Sequence, residues 1–103
     1  MQKKVKIFND EVMKRMSKTS VESRMLDVQS ELGELCKEIL KSTSYGEKSF
    51  EVTADFEMEF GDVLYSLMSL ANETGIVAED CLQKALDKYE NRMKKKNDIG
   101  SGR

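Results

Sequence analysis

The chain has no histidine, no proline and no tryptophan among its 103 residues, and only two cysteines. Without imidazole there is no His-dependent nucleophilic triad, no His-ligated zinc and no imidazole general base. Any catalysis must use carboxylates, lysine, tyrosine, serine or a bound metal. Zero proline, 7% aromatic residues and 35% charged residues suit a helical protein. An excess of one charge is also missing. The net charge of −2 gives the chain no overall bias toward nucleic acid or membrane. Long apolar runs are absent as well: the opening MQKKVKIF does not read as a signal peptide, and no segment approaches membrane-spanning length. Cys36 and Cys81 lie far apart within apolar patterns and form no short motif, so they read as buried thiols of a reducing compartment, and a cytoplasmic location is expected.

The length fits one all-α domain, expected over 1–96, whose small size favours a partner. Four helices are legible. The first covers Lys3 to Ser17, with Val5, Phe8, Val12 and Met16 on one side. The second opens at Thr19, where Thr19-x-x-Glu22 reads as a capping box, and carries Val21, Met25, Val28, Leu32, Leu35, Cys36 and Ile39 as an inward stripe. After a loop at Ser42–Gly46, the third runs from Phe50 or Thr53 to Glu73, with Phe56, Phe60, Val63, Leu64, Leu67 and Ala71 inward and Gly75 as its stop. The fourth starts near Ala78 and buries Leu82, Ala85, Leu86, Tyr89 and Met93. Asn97 to Arg103 is expected to be a disordered tail.

A repeat stands out against this plain background. Asp27–Leu40 (DVQSELGELCKEIL) recurs 28 positions later as Asp55–Met68 (DFEMEFGDVLYSLM). The matched residues include Asp27/Asp55, Glu31/Glu59, Gly33/Gly61 and Glu34/Asp62. Acidic pairs at i,i+3 alone would mean nothing, because composition predicts about three of them. The shared context is the signal.

At 100° per residue, with Leu32 as origin, Glu31 falls near −100° and Glu34 near roughly −160°, on one flank of the apolar stripe. With Phe60 as origin the third helix gives the same map for Glu59 and Asp62. A short connection makes the two helices antiparallel, and the pseudo-two-fold then opens both acidic flanks on one side. Glu31, Glu34, Glu59 and Asp62 could thus form an oxygen cage, and converging anions call for a cation. Hard oxygen donors favour Mg²⁺ or Mn²⁺ over Zn²⁺. Two solvated acidic faces are the bland alternative. Gly33 and Gly61, on the opposite flank, suggest close approach of a neighbouring helix.

Glu31-Leu-Gly-Glu34, 24 intervening residues and Glu59-Phe-Gly-Asp62 resemble the motif of the MazG-like, all-α nucleotide pyrophosphohydrolases. The resemblance continues through Gly75-Ile76 and through Lys88, Asn91 and Arg92 of the last helix, covering Thr19 to Lys94. It implies a four-helix, bundle-like fold with an antiparallel central pair, working as a homodimer or homotetramer. It also implies Mg²⁺-dependent cleavage of a nucleoside triphosphate to monophosphate and pyrophosphate. The four acids would be the metal ligands and catalytic groups, and Lys88, Asn91 and Arg92 would contact substrate. Ser30 stands where many members have a second glutamate, and the tryptophans that line the base pocket of some relatives are absent, so base preference does not carry over. Tyr65 lies off the acidic flank and reads as packing, and Tyr45 in the loop could stack on a base. Two other readings remain open at this point: a non-catalytic helical assembly or binding module, and a hydrolase of the same fold acting on dUTP or a phosphoribosyl-ATP type of substrate.

Overall fold

Hydroxyl side chains start the two central helices. The computed structural model describes residues 1–15 and 19–101, the side chains of 98–101 excepted. Within them are α1 (Gln2–Arg15), α2 (Val21–Ser42), α3 (Ala54–Thr74) and α4 (Ala78–Ser101). Ser20, in extended conformation, caps α2: its Oγ accepts from the Ser23 N–H at 3.1 Å. The expected capping box one residue earlier does not form, and the Thr19 hydroxyl instead donates to Glu73 at 3.4 Å. Thr53 caps α3 in the same way, accepting from the Phe56 N–H at 3.0 Å. Gly75 ends α3 at φ 77, a left-handed conformation that glycine adopts without a Cβ clash. The expected end of α1 at Met16 and Ser17 lies outside the described residues. α4 runs on to Ser101, so 97–101 are helical where a disordered tail is expected, and the last two residues lie outside the described set.

Two contacts establish that α2 and α3 are antiparallel. The Thr53 hydroxyl at the start of α3 donates to Glu38 near the end of α2, and Thr19 just before α2 reaches Glu73 near the end of α3. The seam between them corrects the sequence reading. Its buried and half-buried residues are Arg24, Val28, Glu31, Leu35 and Glu38 on α2, facing Phe56, Glu59, Val63 and Ser66 on α3. That line is rotated roughly 80° from Leu32 and Phe60 toward the acids. The residues expected at the centre of the core are half out of it: Leu32 and Phe60 are each 49% exposed, and Met25, Leu64 and Leu67 are exposed with them.

α1 packs on α3 through a polar core. Asn9 is buried, and its Nδ2 donates to Tyr65 Oη at 3.0 Å and to Ser69 Oγ at 3.2 Å. Asn72 Nδ2 donates to Asn9 Oδ1 at 3.4 Å, and Gln2 Nε2 donates to Asn72 Oδ1 at 2.9 Å. The ladder ends on α4, where Gln2 Oε1 accepts from the Ala78 N–H at 2.7 Å. Phe8, expected inward, is exposed and meets Tyr65 edge-on at 5.8 Å.

Beyond that anchor α4 packs only marginally on the other helices. Leu82, Leu86, Tyr89 and Met93, expected in the core, are exposed. Cys36 and Cys81 are free and exposed, not buried. A Cβ added at Gly33 or Gly61 would meet nothing within 4 Å, so no helix among the described residues explains those glycines. The radius of gyration is 18.3 Å, against about 13 Å for a compact monomer of this length. The accessible surface is 8484 Å², against about 5,900 Å² from the mass scaling of monomers.

The Asn9 ladder generates a prediction. Asn9→Ala removes the donor to the buried Ser69 hydroxyl and to Tyr65, and one of the two acceptors of the Asn72 amide, whose other acceptor is the Gln2 carbonyl. It should therefore destabilise the fold by about 1–3 kcal/mol, measured by chemical denaturation.

Candidate metal centre

Seam positions place the acids. Glu31 and Glu59 sit on the α2–α3 seam itself, half-buried, and Asp62 follows Glu59 by one turn. Glu31, Glu59 and Asp62 each offer a carboxylate oxygen, and these oxygens all lie within 4.8 Å of one another. Opposite ligands of an octahedral Mg²⁺ are about 4.2 Å apart, and those of the larger Ca²⁺ about 4.8 Å. The three carboxylates therefore fit a hard divalent cation with little movement. Of the four acids singled out from the repeat, Glu34 stays outside this cluster. Its charge is nonetheless felt: the Glu59 carboxyl is held above its ordinary value by partial desolvation, then by repulsion from Asp62, Glu34, Glu31 and Glu38.

The acids divide between two cavities. Glu31 and Asp62 line one of 420 Å³, together with Arg24, Tyr65 and Ser66. Glu34 and Glu59 line the other, of 670 Å³, together with Lys37, Lys41 and Tyr45. Tyr65 therefore belongs to the site as well as to the packing against α1. Tyr45 stands at the mouth of the second cavity, 81% exposed, with a left-handed φ of 59. Arg24, Lys37 and Lys41 are absent from the sequence reading. Arg24 precedes Glu31 by two turns, so it shares the seam-facing line, and a cation at such a position was the available signal.

Lys88, Asn91 and Arg92 are not brought to the acids within one chain. With Lys84 and Lys95 they line a shallow depression of 480 Å³ on α4 that contains none of the four site acids. Lys88 and Arg92 instead lie over the Tyr89 ring, at 4.8 and 5.9 Å from its centroid. Among the described residues no helix is long and apolar enough to cross a membrane.

The model of the MazG nucleotide pyrophosphohydrolase domain matches residues 19–96. The uncharacterized protein YpjD of Bacillus subtilis (strain 168) is 38% identical over 73 residues, 68% of this chain. The match spans 64% of YpjD, just under two thirds of its length. A crystal structure of YpjD, a candidate pyrophosphatase, superposes with a TM-score of 0.70 at 31% identity, covering 88% of this chain and 90% of that one.

The raised Glu59 pKa has a definite consequence for stability. A carboxyl whose folded pKa exceeds its unfolded value adds no penalty below the unfolded pKa and destabilises the fold as pH rises through the folded one. Glu59→Gln removes that penalty. The metal-free variant should therefore melt above the wild type near neutral pH, and the difference should vanish below about pH 4. Thermal melts in EDTA at both pH values check this.

Proposed function

The chain belongs to the MazG nucleotide pyrophosphohydrolase family, and on that footing we propose that it is a Mg²⁺-dependent hydrolase that splits a nucleoside triphosphate into the monophosphate and pyrophosphate. The convergence of Glu31, Glu59 and Asp62 carries this reading. Mn²⁺, with the same preference for oxygen, would substitute. When bound, the cation supplies positive charge to the phosphoryl oxygens. The three carboxylates hold and orient it, and their mutual repulsion is relieved by it. Glu34, outside the cluster but lining the second cavity with Glu59, would orient the attacking water in this reading. Attack at the α phosphorus makes pyrophosphate the leaving group. Exposed, unpaired thiols fit a reducing, cytoplasmic setting.

The proposal includes a homodimer as the minimal unit, with a tetramer as the larger form. The chain exposes about 2,500 Å² beyond what its mass predicts for a monomer, three times what one partner of a standard interface buries. Leu32, Phe60 and Leu64 on the central pair and Leu82, Leu86 and Met93 on α4 offer the apolar surface. Substrate contacts by Lys88, Asn91 and Arg92 then come from α4 of a second chain, which can reach the acids where the chain's own α4 does not.

Two experiments test these statements. Glu31→Gln, Glu34→Gln, Glu59→Gln and Asp62→Asn should each lower turnover at least about tenfold while the protein stays folded, and EDTA should abolish pyrophosphate release from a panel of nucleotides. Full activity in Glu59→Gln and Asp62→Asn, or orthophosphate as the sole product, would sink the reading. A purely assembling module would release neither product. For the assembly, light scattering should give at least twice the chain mass of 11.8 kDa. A fully active monomer would remove the oligomer and the trans role of α4.

A further inference from the structure

Arg24 is a cation without a counter-ion. It is only 9% exposed, at the seam of α2 and α3. Its Nε is sealed from water and has no hydrogen-bond partner. The ion pairs among the described residues are Lys6–Asp10 and Lys14–Glu11, so neither Asp27 nor Glu31 neutralises the guanidinium, although both line the same cavity. A buried charge left unpaired is costly, and a folded chain retains one where an external partner completes it. The cavity indicates which partner. Arg24 lines it together with Glu31 and Asp62, two of the three carboxylates that converge on the cation position. Ser66 is buried beside them, and the Tyr65 hydroxyl accepts its hydrogen bond from Asn9, which leaves its own proton free to donate. A guanidinium and two hydroxyls beside a carboxylate-held cation are a donor set for a phosphoryl group, which would bridge both positive charges.

We infer that Arg24 binds the pyrophosphoryl end of the substrate, next to the cation held by Glu31, Glu59 and Asp62. The inference rests on the pyrophosphohydrolase reading for the identity of the ligand. It adds a direction: the triphosphate tail lies in the cavity of Arg24, and the nucleoside extends toward the cavity of Glu34 and Tyr45. Lys37 and Lys41 do not compete for the tail, because they are exposed lysines among four carboxylates. Arg24 would hold the leaving group, so its loss weakens binding of both substrate and product.

The test uses inorganic pyrophosphate with Mg²⁺, which needs no turnover. Calorimetry should show pyrophosphate binding weakened at least about tenfold in Arg24→Gln and less in Arg24→Lys, with Mg²⁺ binding itself unchanged. KM for the triphosphate should rise in parallel. The ligand-free Arg24→Gln protein should melt at or above the wild type, since an unpaired buried charge is removed. A merely structural arginine predicts the reverse pattern: a lower melting temperature and unaltered pyrophosphate affinity. Should Arg24→Gln fail to fold, the arginine Nε–H resonance of Arg24 in the wild type decides, assigned by its absence in Arg24→Lys. It should shift on titration with Mg²⁺-pyrophosphate, and an unmoved signal overturns the inference. Pyrophosphate affinity within twofold of wild type in Arg24→Gln overturns it too, while leaving the function standing if the wild type hydrolyses nucleotides. A wild type that releases no pyrophosphate from any nucleotide overturns the function instead.

Discussion

Carboxylates packed into the seam of an antiparallel helix pair repel one another, and much else in this molecule follows from that repulsion. Glu31, Glu59 and Asp62 are brought close enough to share one ion, and Glu34 and Glu38 add to the field around them. Such a seam is a poor hydrophobic core. Val28, Val63 and Ala71 are the only buried apolar residues among the described set. The negative charge favours a cation, and the missing apolar burial favours a partner chain.

The rotation of the seam connects these two needs. Turning α2 and α3 so that the acids face each other turns Leu32, Phe60 and Leu64 outward. A sequence stripe normally marks the face toward the rest of the same chain. Here much of it stays exposed, as does the apolar face of α4. Polar contacts take over inside: Asn9, Tyr65, Ser69, Asn72 and Gln2 tie α1 to α3 and to the first residue of α4. Tyr65 belongs to that ladder and to the cavity beside Glu31 and Asp62, so the packing of α1 bears directly on the site.

Local chemistry was legible residue by residue. The hydroxyl at Thr53, the glycine at 75 and the acids of the repeat announce helix ends and a candidate site through interactions spanning a few positions. Ser20 displaced Thr19 as cap because either hydroxyl can serve, and one residue of register separates them. The spacing of Arg24, two turns before Glu31, is a weak signal in a highly charged chain. Only the closing of α3 over it makes it buried.

The sequence by itself determined the four helices, the antiparallel central pair and the grouping of acids on one flank. Each depends on periodicity, capping and loop length, which act over short stretches of chain. The tertiary structure decided which flank became the seam and which acid stayed out of the cluster. It also decided that the Nε of Arg24 lost its water without gaining a partner, and that α4 packs only marginally on the other helices. These outcomes depend on how two helices rotate about their axes, and a helical wheel, which knows only angles within one helix, cannot specify that rotation.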